Sequence, residues 1–190
     1  MNSVLCFSIT MLAMAVAFYI CDRKFNMLRD TSTANVKPYS FARVQLAWWT
    51  IIIASALIAI LFHRNEAPDF YVSTLILLGI SSATTAAARV IDISDRTSVI
   101  NTTQHQNQAG EGFFLDILSD AAGVSIHRFQ TVVFNAAFGI WFIRQIALHI
   151  GDPSFCVNAI IPDISDNALI LLGLSSGTYA TLKATENKTK

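Results

Sequence analysis

The sequence predicts an all-α membrane protein with five transmembrane helices: one N-terminal helix followed by two tandem helical hairpins. Three observations carry that expectation. Charge is scarce, at 14% of the 190 residues against 53% hydrophobic, where a soluble domain has about 25% charged residues. Five apolar stretches approach the roughly 20 residues that a helix needs to cross a bilayer core of about 30 Å. And the second hairpin repeats polar residues of the first at matching positions.

The first stretch, residues 4–20, has no Lys or Arg before it and the basic cluster Arg23, Lys24 and Arg29 after it. That order suits an uncleaved anchor with its N-terminus outside rather than a signal peptide. The second, residues 44–62, contains no charge at all. Residues 71–90 form the third and 129–150 the fourth. The fifth, 168–182, is the shortest, and a snorkelling Lys183 would extend it.

The distribution of charge sets the orientation. With the N-terminus outside, eleven of the 13 Lys and Arg residues fall on the cytoplasmic side, and only Arg64 and Arg144 fall outside. The positive-inside rule then puts the C-terminus in the cytoplasm of a multi-pass protein. The expected organisation is a membrane anchor and linker over 1–36 and a first hairpin over 37–92. A cytoplasmic loop with a short amphipathic helix follows over 93–123, then a second hairpin over 124–184 and a tail over 185–190.

The repeat is read from polar positions. Ser40-Phe-Ala-Arg43-Val-Gln45 opens the second stretch and Ser125-Ile-His-Arg128-Phe-Gln130 opens the fourth. Both spell S-x-x-R-x-Q. Ten residues of the third stretch, 75–84, and ten of the fifth, 169–178, agree at eight positions. Both hairpins start on the same side, so the copies are parallel, related by an axis along the membrane normal.

Ser40 and Ser125 stand where a helix N-cap belongs. Arg43 and Arg128 fall in the first helical turn, where the helix dipole disfavours a cation. Two readings stand for them: phosphate headgroups at the interface, or a carboxylate within the protein, for which Asp116 and Asp120 are the candidates. Gly173-x-x-x-Gly177, with its looser twin Gly79, Ala83 and Ala87, makes a strip of small residues for close helix packing, within or between protomers. Asn135 and Arg144 are candidates for an intramembrane polar site, with snorkelling of Arg144 as the alternative. In the loop, residues 101–112 are polar. Phe113, Phe114, Ile117 and Leu118 share one face of a short helix that would lie in the interface or dock under the bundle.

The function classes are narrower for what is missing. A formal net charge of zero gives no electrostatic reason to expect nucleic acid. Cys6, Cys21 and Cys156 form no metal-ligand spacing with histidines, and no span holds a catalytic pair, so no catalytic residue, metal or cofactor is expected. The expected partners are membrane lipids, a second copy of the chain and a co-encoded soluble cytoplasmic protein. An oligomeric scaffold that recruits such a partner is the leading expectation. A small channel or pore-forming effector of a stress or antiphage system is the alternative.

Residues 37–184 also resemble a widespread group of bacterial inner-membrane proteins of uncharacterised activity. The resemblance rests on Pro38-Tyr39-Ser40, Arg43 and Gln45, then Asp116-Ile-Leu-Ser-Asp120, Gly123, Ser125, His127-Arg128 and Gln130, and finally the segment from Gly173 to Tyr179. It implies a bacterial inner-membrane location and brings no activity with it.

Overall fold

The computed structural model describes residues 2–30, 32, 34–97, 109–120 and 123–186, the side chains of 92, 94–97 and 182–186 excepted. Most of the polar loop 101–112 and the side chain of Lys183 therefore lie outside the described residues. The described residues are mostly helical, in the order α1 (Ser3–Phe25), α2 (Phe41–Arg64), α3 (Val72–Thr97), α4 (Phe113–Leu118), β1 (Ser119–Asp120), β2 (Gly123–Val124), α5 (Ile126–His149), α6 (Val157–Ile160) and α7 (Asp166–Glu186). Among the described residues, four helices are long and apolar enough to cross a membrane: α1, α2, residues 72–91 of α3, and α5.

Local chemistry sets the ends. Asn2 caps α1 by accepting the Val4 N–H at 3.2 Å. Arg23 and Lys24 close its last turn, where the dipole favours cations. Asn26 then turns left-handed at φ 53°, and Asn65 ends α2 in the same way at φ 52°. Asparagine tolerates this conformation better than most residues. Ser40 and Ser125 occupy the N-cap positions of α2 and α5 in extended backbone, as expected, but neither hydroxyl caps its helix. The main chain does the anchoring instead: the Ser40 N–H donates to the Leu28 carbonyl at 2.8 Å, and the Ser125 N–H to the Leu118 carbonyl at 2.9 Å.

α1 and α3 each run antiparallel to α2, since Thr10 near the start of α1 meets Ser55 in the second half of α2 and Thr85 in the second half of α3 meets Ala42 at the start of α2. α2 lies at the centre, packed on α1, α3 and α5, while α7 packs on α3 and α5. One core runs through these helices, including Trp49, Ile52, Ile60, Leu77, Phe142, Ile146 and Leu172. α1 sits on the outside of α2; Leu12, Tyr19 and Ile20 face outward from it. One end of the bundle carries Arg29, Arg43, Arg89 and Arg128 and is called the arginine end below.

The loop ahead of α5 departs from expectation in one respect. The short helix is present, but it stops at Leu118 and is followed by a short antiparallel strand pair that matches Ser119 with Val124 and Asp120 with Gly123. Gly123 has φ 107°, which a residue with a Cβ resists. α4 docks under the bundle through Ile117, buried with Phe41, Ala42, Ala88 and Tyr179. Phe114 stays 72% exposed.

Candidate functional site

Among the described residues, polar side chains gather in a clasp inside the bundle, in a cap at the arginine end and in a smaller group at the opposite end.

The clasp centres on Asn135 of α5. Its side-chain N–H donates to the Thr131 carbonyl one turn back at 2.8 Å. That fixes the amide so that its oxygen faces α2, where the Trp49 indole N–H donates to it at 2.9 Å. The Trp48 indole N–H donates to the Asn135 main-chain carbonyl at 3.1 Å. One asparagine thus holds two adjacent tryptophans of the neighbouring helix. Trp48 fits because residue 139 is glycine: a Cβ there would stand 2.6 Å from the Trp48 ring carbons Cε2 and Cζ2. Nearby, Gln45 of α2 donates to the Ser176 hydroxyl of α7 at 3.0 Å. Thr131 reaches the Ser175 carbonyl at 3.5 Å. Four buried oxygens in the bundle have no partner among the described residues: Gln45 Oε1, Ser55 Oγ, Thr74 Oγ1 and Ser81 Oγ.

Asn135 and Arg144 are not brought together. Asn135 is buried, whereas Arg144 lies on the exposed face of α5. The matched glutamines also part company: Gln45 is buried on Ser176 and Gln130 is exposed. The small-residue strip is less of an interface within the chain than its pattern suggests. A Cβ on Gly79 or Gly177 would meet nothing within 4 Å, and one on Gly173 would meet only Ile80 Cδ1 at 3.5 Å. Ala83 is exposed and Ala87 half-buried. The tight glycine contact between helices is at Gly139, in no small-xxx-small pattern. Its only signal in the sequence is a lone glycine four residues after a polar residue in an apolar helix.

The cap joins the two loops at the arginine end. Asp116 is its knot: one carboxylate oxygen accepts the Tyr39 N–H at 3.0 Å, the other the Glu111 N–H at 2.8 Å. Asp116 was a candidate ion-pair partner for Arg43 and Arg128, and here its oxygens bind main chain. Gly110 donates to the Val36 carbonyl at 2.9 Å. A Cβ on Gly110 would stand 3.1 Å from Pro38 Cα, so the two loops cross at a glycine. On the other side, buried Asp22 at the end of α1 pairs with Arg29 at 3.5 Å. Arg29 donates to the Lys37 carbonyl at 3.0 Å and the Tyr39 hydroxyl at 2.9 Å. Phe113 meets Tyr39 edge-on, with centroids 5.2 Å apart.

The two repeated arginines have different surroundings. Arg43 donates to the Met27 carbonyl at 3.3 Å. The Arg128 guanidinium lies over the Tyr179 ring, 5.2 Å from its centroid, within reach of a cation–π attraction. At the opposite end, Arg64 donates to main-chain carbonyls of Asp152 and Pro153, and Asp69 pairs with Asn158 at 3.0 Å. Ser154 donates to Asp152 from both its hydroxyl and its N–H; these bonds hold the exposed Asp152 carboxyl below its ordinary pKa.

Compared with family models, curated proteins and solved structures, the chain gives no match.

Proposed function

We propose that the protein is a multi-pass membrane scaffold that presents a rigid cap to a soluble partner on the cytoplasmic side. The observation that carries this reading is the cap itself. Two loops 77 residues apart in sequence are locked together through Asp116 and Tyr39. Phe114, Val124 and Ile126 stay exposed beside that knot, the last at 76%. An ordered apolar surface next to the membrane suits docking better than a loose linker does. In this reading α7 is the fifth span, and the hairpins α2–α3 and α5–α7 are duplicated units. The matching main-chain anchors at Ser40 and Ser125 support the duplication. The charge asymmetry supports an arginine end in the cytoplasm. The resemblance of residues 37–184 to bacterial inner-membrane proteins supports that membrane. The open strip of Gly79, Ala83 and Gly177 offers a surface to a second copy.

Topology and docking are tested together. Fusions of a periplasm-dependent enzyme should be active after Glu66 and after Asp152, and inactive within residues 104–110. A photo-crosslinking residue at Phe114 should give protein adducts in intact cells, whereas one at Ile140, on the exposed flank of α5, should give none beyond a second copy. A periplasmic signal from the loop sinks the orientation. Equal adducts from both positions sink the cap as the docking surface.

A second reading is a small pore or channel. It is favoured by the four buried oxygens without partners, because an unsatisfied polar group is costly in an apolar interior and water or a passing ion would satisfy it. Conductance across vesicles carrying the purified protein, abolished by Ser81→Val and Thr74→Val, would displace the scaffold reading.

A further inference from the structure

We infer that the cleft between α1, α2 and α3 at the arginine end is a binding site for one anionic phospholipid, which rests on the proposed membrane reading. The cleft holds about 290 Å³ and is lined by two arginines, Arg43 from the first turn of α2 and Arg89 from α3. The guanidinium of Arg43 is positioned across it by its bond to the Met27 carbonyl. The Arg89 side chain makes no hydrogen bond or ion pair among the described residues. The remaining wall is mostly apolar, with Phe18, Met27 and Leu46 among its members, and it continues as deep as Thr50. From Arg43 to Thr50 is seven residues, about 10 Å of helix. A cationic mouth above an apolar channel of that depth matches a phosphodiester carrying an acyl chain. A free phosphate would leave the apolar part unfilled. Guanidinium groups bind phosphate oxygens through paired N–H donors, and basic pockets between membrane helices at the inner interface bind acidic headgroups.

The placement of α1 makes this a single site. The S-x-x-R-x-Q motif gives Arg128 at the position of Arg43, and the Gly79 and Gly173 segments put Lys183 at the position of Arg89. The second hairpin thus carries the same pair of cations in sequence. The Phe18 and Met27 walls, however, come from α1 and the loop after it, and this helix occurs once. α1 turns one of two basic faces into a groove. The inference therefore also gives α1 a role: it walls a lipid site rather than only anchoring the chain.

Native mass spectrometry of the full chain, released from nanodiscs of mixed phosphatidylglycerol and phosphatidylcholine, tests this. The expected result is one phosphatidylglycerol retained per chain in preference to phosphatidylcholine. Arg43→Gln and Arg89→Gln should each weaken retention by roughly fivefold, the contribution of one cation beside an anionic lipid surface. Arg144→Gln, on the exposed face of α5 near the opposite end, should leave it unchanged. Equal retention of both lipids by the unaltered chain overturns the site without recourse to any variant. So does an effect of Arg144→Gln equal to that of Arg89→Gln. Stabilisation by millimolar inorganic phosphate equal to that by the lipid overturns the phospholipid assignment. Carbonate extraction separates the two levels. A chain released from membranes overturns the membrane reading itself, whereas a chain retained there without lipid preference overturns only the site.

Discussion

Of the glycines, Gly139 is the one whose replacement the structure constrains most tightly. In Gly139→Ala, the new methyl would stand 2.6 Å from two carbons of the Trp48 ring. Ordinary carbon contacts lie at about 3.5–4.0 Å, so the indole or the helix must move by about 1 Å. Moving the ring stretches its 3.1 Å bond to the Asn135 carbonyl. Moving the helix strains the 2.9 Å bond from Trp49 to the Asn135 side chain. Overpacking of this kind costs about 1–3 kcal/mol, and loss of one hydrogen bond about 0.5–1.5 kcal/mol, together about 1.5–4.5 kcal/mol. The assay is thermal unfolding of the detergent-solubilised protein, followed by circular dichroism. The expected shift is a loss of several degrees, with Gly177→Ala as the control, since a methyl at that position meets nothing within 4 Å. A Gly139→Ala protein as stable as the unaltered chain would refute the reasoning, as would an equal loss in Gly177→Ala.

Three further outcomes follow from the same geometry. Asp116→Ala should destabilise the protein by about 1–3 kcal/mol, because two main-chain N–H groups lose a charged acceptor; protease cleavage within residues 109–120 should accelerate, and unchanged cleavage would remove Asp116 as the knot of the cap. The bonds from Ser154 favour the ionised form of Asp152. Their contribution is therefore present above the ordinary carboxylate pKa and is lost as pH falls through the lowered one. A carboxyl titration by NMR should find that midpoint low, and Ser154→Ala should raise it; no movement would contradict the assignment. For Arg128, a role through Tyr179 makes Tyr179→Leu costly and Arg128→Ala little worse in that background. A double-mutant cycle of Arg128→Ala with Asp120→Ala tests ion pairing separately, since strict additivity would discard that pair.

What the sequence alone determined is the class of structure and its long elements. Apolar runs of near-spanning length admit little besides helices, because an apolar medium leaves each backbone N–H and C=O to find its partner within the segment. Their starts were also legible: Ser40 and Ser125 do stand at the N-caps of α2 and α5. α4 was visible as an apolar face at helical spacing, although the strand pair after it was not, since two-residue strands leave almost no periodicity.

The tertiary structure decided which polar residues meet. The two glutamines of one motif are identical by sequence, yet Gln45 is buried on α7 and Gln130 is exposed. Asp116 was legible as a carboxylate near the arginines, but its bonds to the Tyr39 and Glu111 N–H groups depend on a loop crossing set at Gly110. Gly173-x-x-x-Gly177 has the pattern of a packing strip, whereas the glycine that accommodates a neighbouring helix is Gly139, because Trp48 happens to lie opposite it. The physical reason is common to these cases. Periodicity along one helix fixes which residues share a face, and it carries no information about what the facing helix presents there.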